Sequence, residues 1–106
     1  MNSNLLRIDI ADSPTHPTIR LNGKLTVESV QDLRRACTAV MRNMTAGEIT
    51  IDLAALDYID SLSIGMLIKL NEETKLRGVA IVLKNPQTAV MKVFKIVHLD
   101  RILTVR

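Results

Sequence analysis

Cysteine is almost absent from this chain: Cys37 is the single one in 106 residues. No intramolecular disulfide and no cysteine-rich metal cluster can be built from it. Aromatic residues are as scarce, with Tyr58, Phe94 and no Trp, and two rings cannot form the stacking platform that single-stranded nucleic acid requires. The 14 basic residues give a formal charge of +3, but they are interleaved with 11 acidic ones and form no run that could follow a phosphate backbone. A nucleic-acid partner is therefore not expected. No apolar run approaches the roughly twenty residues of a membrane span, and the start, MNSNLLRIDI, has neither the basic region nor the apolar region of a secretory signal. These absences predict a cytoplasmic protein with no direct membrane insertion.

Catalytic apparatus is missing from the pattern as well. The four glycines stand singly at positions 23, 47, 65 and 78, so no glycine-rich loop can cradle a phosphate. His16 and His98 are the only imidazoles, one in the first loop and one in the last turn, and nothing in the sequence orients either toward a serine nucleophile. Asp52, Asp57 and Asp60 are near one another, but no acidic pair ends the first strand, and a hard cation needs several convergent oxygens. The sequence predicts no enzyme, no cofactor and no metal.

What is present is apolar periodicity. Hydrophobic residues make up 47% of the chain, enough for one domain over residues 1–106 with a single core. From Leu5 to Ile10, Leu6, Ile8 and Ile10 alternate with Leu5, Arg7 and Asp9, the period of a half-buried strand. Residues 11–17 read as a loop, and Thr18 to Leu21 reads as a second strand at hairpin distance, ended by Asn22-Gly23. Thr26 is placed to cap a helix whose one face carries Val30, Leu33, Cys37, Val40, Met41 and Met44. Cys37 then belongs to the core, while Met41 and Met44, at the helix end, are candidates for partial exposure and binding.

After Gly47, Ile49 to Leu53 reads as a strand and residues 54–60 as a short loop. A second helix is expected from Ser61 to Arg77, its first turns apolar nearly all round, with Gly65 allowing close helix packing. Gly78 stops it, and the apolar run Val79 to Leu83 suits a central strand. Asn85 as cap and Pro86 at the first helical position would start a third helix bearing Val90, Val93, Phe94 and Val97. A turn at His98 to Asp100 and a short strand or helical tail from Ile102 to Val105 complete the chain. The order β-β-α-β-α-β-α-β predicts an α/β fold: a mixed sheet opening with an antiparallel hairpin and continuing through βαβ units with packed helices.

The segment from Ile51 to Leu67, IDLAALDYIDSLSIGML, resembles the central motif of STAS domains, the family of bacterial anti-sigma factor antagonists. Arg20 to Leu25 is similar to that family's second strand, Gly78 to Leu83 to its fourth, and Phe94 to Leu103 to its terminal helix and turn. The resemblance implies a STAS-type sheet and a non-catalytic protein-interaction domain used in partner switching. In such a switch a serine kinase that is also the binding partner phosphorylates the serine after the motif aspartate. Carried onto this chain, that serine is Ser61 and the aspartate is Asp60. The partner surface implied comprises Lys24, Thr26, Asp57, Asp60, Ser61, Leu62 and Ser63, with an anti-sigma factor or related regulator as partner; a homo-oligomer is left open. An alternative within the family is a constitutive STAS subunit of a membrane lipid transporter complex, or a stress-signalling scaffold.

Two departures from the family pattern bear on the partner. Many members read Asp-Ser-Ser-Gly where this chain has Asp60-Ser61-Leu62-Ser63, and Gly-Glu-Leu-Asp where it has Gly23-Lys24-Leu25-Thr26. Two acidic positions are lost and one apolar residue is gained. Ser61 also has a plain structural role open to it, since Ser and Asp are both preferred helix caps.

Overall fold

The computed structural model describes residues 6–106. Leu5, expected to begin the first strand, lies outside the described residues. The elements are β1 (Leu6–Ala11), β2 (Thr18–Leu25), α1 (Val30–Met41), β3 (Gly47–Ile59), α2 (Ser61–Lys75), β4 (Val79–Lys84), α3 (Thr88–Ile96), a 3-10 turn (Leu99–Arg101) and β5 (Thr104–Val105). They form one five-stranded sheet in the order β1-β2-β3-β4-β5. The β1/β2 pair is antiparallel and every later pair is parallel, as the sequence order predicts.

Strand register sorts the side chains into two faces. One row reads Ile10, Ile19, Ile51, Leu83 and Val105 across all five strands. The adjacent row reads Asp9, Arg20, Asp52 and Lys84. Because strand side chains alternate with a period of two, the first row belongs to an apolar face and the second to a polar one. The apolar face joins Leu33 and Cys37 of α1, Ile64 and Leu67 of α2, and Val90 and Phe94 of α3 in a single core. Leu33, Leu67 and Phe94, large and fully buried, each stabilise the fold by about 1.5–3 kcal/mol. Val82, on the polar face between Thr50 and Thr104 in register, is buried but stands apart from that core. All three helices therefore serve one side, and the molecule is a slab 20 Å thick, the depth of a sheet and one helix layer.

The structure corrects several expectations. β2 does not stop at Asn22-Gly23 but continues to Leu25, and residues 54–59 are not a loop but the second half of β3. β4 is an interior strand, as its apolar run suggests, paired with β3 on one side and β5 on the other, and β3 lies at the middle of the sheet. Relative to β2, β3 carries one extra residue at each of two irregularities, between Arg20 and Asn22 and between Gly23 and Lys24. Such bulges break the alternation, so the buried positions of β3 fall at Ile49, Ile51, Leu53, Leu56 and Ile59.

Helix ends also differ. Ser29, not Thr26, precedes α1, and Gln87, not Asn85, precedes α3. Asn85 instead takes a left-handed conformation (φ 60°) as the chain leaves β4. Met41 and Met44 are both buried, so neither offers a binding surface. Gly65 has nothing within 4 Å of where a Cβ would stand and so does not mediate close packing.

Gly47 is the glycine under real constraint. It enters β3 at φ 122°, and a Cβ there would collide with the Thr15 carbonyl oxygen, which accepts the Glu48 N–H at 3.0 Å. These two glycines make opposite predictions. Gly47→Ala should destabilise the protein by about 2 kcal/mol or more, through strain and the lost approach to Thr15. Gly65→Ala, in an open helical position, should stabilise it by about 0.5–1 kcal/mol. Urea denaturation of the two variants beside the parent checks both signs.

Candidate functional site

The expected site residues gather where β2 and β3 end and α2 begins. Asp60 occupies this junction. Its N–H donates to the Leu25 carbonyl at 3.2 Å, one carboxylate oxygen accepts the Ser63 N–H at 2.8 Å, and the other accepts the Val27 N–H at 3.0 Å. Asp60 is the N-cap of α2 and at the same time holds the turn that leads from β2 into α1. Burial works against its charge. The Ser63 hydroxyl and N–H and the Val27 N–H outweigh it and hold the carboxyl below the usual carboxylate range.

Ser63 is fully buried beneath this cap. Its Oγ lies close enough to Asp60 to favour the charge but finds no partner at hydrogen-bonding geometry among the described residues. A buried hydroxyl is no surface for a partner, so Ser63 leaves the expected binding set. Thr26 is half-buried in the β2–α1 turn, where its N–H donates to Ser29 Oγ at 3.0 Å and its Oγ1 accepts the Glu28 N–H at 3.3 Å. Ser29, which sequence reasoning missed, knits this turn by donating to the Lys24 carbonyl at 3.0 Å.

Around Asp60 the surface is open. Ser61, the first residue of α2, is exposed, and no side-chain hydrogen bond engages its hydroxyl among the described residues. With Asp60 as the cap, Ser61 carries no capping duty. Leu62 is 66% exposed, Val27 55% and Tyr58 49%, so three apolar side chains rim the junction. Lys24 lies opposite Tyr58 in register, its Nζ 5.6 Å from the ring centroid and 3.3 Å from Asp57 Oδ1. That ion pair is exposed on both sides and adds little stability; its effect is to fix a charged corner beside Ser61. Val27 and Tyr58 were not singled out from the sequence, because an isolated apolar residue in an expected first helical turn or loop gives no signal of exposure.

The other candidates lie apart. Asp52 sits on the polar sheet face, where its carboxylate accepts from the Ala54 N–H at 3.0 Å and meets Arg20 and Asn85, each at 3.5 Å. Burial raises its pKa, but these partners prevail and the net shift is downward. The three aspartates thus face different partners, and no group of three metal-ligating residues occurs among the described residues. His16 belongs to the loop that bonds to the start of β3, at the opposite end of the strand from Ser61. His98 holds a left-handed turn after α3. Cys37 is buried in the core, and burial, against a small opposing effect of Arg34, pushes its thiol up to about 12. No helix among the described residues is long and apolar enough to cross a membrane.

The family described as Mlab, STAS domain matches residues 8–104, nearly the whole chain and all of the junction around Asp60. The chain belongs to the STAS domain family. Solved STAS-type structures share its fold. An anti-sigma factor antagonist from Mycobacterium paratuberculosis is 18% identical with a TM-score of 0.77, covering 98% of this chain and 87% of that one. The anti-sigma factor antagonist SpoIIAA, in its unphosphorylated form, is 23% identical with a TM-score of 0.69, covering 95% and 87%. A serine-to-glutamate variant of RsbS from Moorella thermoacetica is 21% identical with a TM-score of 0.73, covering 94% and 86%. At these identities the likeness is one of fold, and this STAS domain has its own surface chemistry.

The Asp60 tie makes a testable pH prediction. A carboxyl held below its ordinary value adds stability that is full above the unfolded pKa, near 4, and is lost as pH falls through the lower folded value. Asn can still cap α2, but it keeps one acceptor oxygen and turns an amide N–H toward the other donor, so Asp60→Asn should lower stability at pH 7 by about 1–3 kcal/mol, the cost of one unpaired donor. The deficit should shrink as pH is lowered from about 5 toward 2, where the parent protonates as well. Thermal denaturation across that pH range reads the convergence; a deficit that stays constant with pH would contradict the role given to the charge.

Proposed function

We propose that this STAS domain is a non-catalytic regulatory module. It binds a protein partner, a kinase-type anti-sigma factor or related regulator, through the surface around Ser61 and is switched by phosphorylation there. The observation that carries the reading is the division of labour at the head of α2. Asp60 does the capping, and Ser61 is left exposed and unengaged. A phosphate at that position meets the unpaired N–H groups and positive end of a helix, so the fold can accept it without rearrangement. It adds about −1.5 to −2 charges to a surface already holding Asp57 and Asp60. An acidic or tightly packed partner surface is then repelled.

Fold neighbours give the reading context. SpoIIAA, described as a Bacillus cell fate determinant, has a phosphorylated form whose structure also matches this chain, with a TM-score of 0.64 and 21% identity over 95% of this chain and 90% of that one. RsbS was solved with a serine replaced by glutamate. Lys24 and Thr26, where many family members carry acids, support a partner different from those that read carboxylates at the β2 exit. Thr26 is half-buried and contributes through the turn it shapes, while Lys24, Asp57, Ser61 and Leu62 are exposed for contact.

A second reading, a constitutive docking subunit of a membrane lipid transporter complex or a stress-signalling scaffold, is favoured by the exposed apolar rim of Val27, Tyr58 and Leu62, which a permanent interface would cover. Phosphosite mapping of the protein isolated from its own cells, with co-purification of untagged partners, separates the two. In the switch reading, Ser61 is modified and a soluble ATP-binding kinase co-purifies. Ser61→Glu should weaken binding of that partner by about tenfold or more, and Ser61→Ala should bind it but lose the response to kinase and ATP. Unchanged binding by Ser61→Glu together with a membrane ATPase among the co-purified proteins would replace the switch with the subunit reading.

A further inference from the structure

The sheet has two edges of very different kind. β5 has only two residues and is followed at once by Arg106, whose N–H donates back to the Leu83 carbonyl, so it offers little backbone to pair with. β1 is six residues long, pairs with β2 on one side, and has no strand on the other among the described residues. A long open edge is a template for another strand, and proteins commonly guard such edges with charges that repel an incoming copy. The charges on β1 do the reverse.

On the polar face the register gives the row Lys84, Asp52, Arg20, Asp9, in which the sign alternates strand by strand and the edge ends on a carboxylate. A strand added beyond the edge would continue such a row with a cation. Arg7 lies two residues from Asp9 on the same face of β1, and within one chain the two make only a long, exposed contact at 3.5 Å that either can give up for a partner across the edge. In an antiparallel pairing of β1 with β1 of a second copy, centred on Ile8, Arg7 of each copy falls opposite Asp9 of the other. The same register sets Ile8 against Ile8 and Leu6 against Ile10 on the apolar face. Ile10, 45% exposed, is where the apolar row that begins at Val105 runs out into solvent. Charge, apolar pattern and strand direction agree on one register, and that register is symmetric.

We infer that β1 is a homodimer interface: two copies of this chain join edge to edge through an antiparallel β1–β1 pairing about a two-fold axis at Ile8, forming one continuous ten-stranded sheet. The pairing is isologous, so it closes at two copies and cannot propagate. It uses the sheet edge and none of the exposed residues around Ser61, so it stands or falls independently of the switch.

A charge exchange tests it. Sedimentation equilibrium from about 1 μM to 1 mM covers weak to moderate association, and the parent should be dimeric within that range. Arg7→Glu turns both interfacial charge pairs repulsive and should weaken the dimer by about tenfold, as should Asp9→Arg. The double variant R7E/D9R restores opposite charges in the same register and should recover the dimer. Both residues are exposed, so each variant should melt as the parent does, the check that it folds.

Cross-linking supplies a second readout. Ile8→Cys should form a covalent dimer under mild oxidation, because residue 8 meets itself at the axis, and Arg7→Cys should not. The buried Cys37 gives no background. A parent that is monomeric throughout, a dimer indifferent to Arg7→Glu, failure of the double variant to recover, or equal cross-linking from positions 7 and 8 would each overturn the inference.

Discussion

The Asp60 carboxylate is shared between two stretches of chain that are over thirty residues apart, and the geometry of the candidate site depends on that sharing. One oxygen caps α2 through Ser63 and the other holds the β2–α1 turn through Val27. Either hydrogen bond alone would be an ordinary local device. Together, with the Asp60 N–H on the Leu25 carbonyl, they fasten the ends of two parallel strands and the start of a helix to a single residue. A charge-assisted hydrogen bond is about twice as strong as a neutral one, and here two of them converge on one ion. The consequence is a firm frame around Ser61, whose own hydroxyl is left out of it.

How much of this was legible in the sequence varies element by element. The succession of elements along the chain, the hairpin and the sidedness of α1 could be read directly, because each rests on local periodicity that tertiary structure reinforced. β3 could be read only in its first half. Ile49, Ile51 and Leu53 alternate as a strand should, but the next buried residues are Leu56 and Ile59. Two bulges against β2 stretch the inward spacing to three, and a spacing of three looks like no strand pattern at all. That stretch contains Tyr58, so the misreading hid part of the site: Tyr58 is directed to solvent next to the expected Asp57, beside Lys24.

The site was legible in its residues and illegible in its division of roles. Family resemblance pointed to Asp60 and Ser61, and capping preference permitted either to be the structural one. The structure assigns the cap to Asp60. Ser63 shows the converse limit, since its place in a polar-looking motif suggested surface while the helix turns it inward. Asn85 and Pro86 match a helix-start signature, yet Asn85 turns left-handed on leaving β4 and its side chain meets Asp52 at 3.5 Å, so α3 begins later, after Gln87. Tertiary contact with the polar sheet face outweighed the local preference.

The exposed Leu62 gives the proposed switch its physical leverage. A partner that covers this side chain, two-thirds of it still exposed, gains about 1–2 kcal/mol from its burial, and because Ser61 is the preceding residue at the head of the same helix, that partner must also take the Ser61 hydroxyl out of water. For a neutral hydroxyl the cost is small, on the order of 0.5–2 kcal/mol, and one hydrogen bond recovers it. For a phosphate the desolvation penalty is several kcal/mol per charge, and Asp57 and Asp60 nearby offer it repulsion instead of a counter-ion. Lys24, the exposed cation at this corner, already faces Asp57. The apolar gain and the ionic cost therefore fall on adjacent residues and differ in size in the sense a switch requires, with no change in fold.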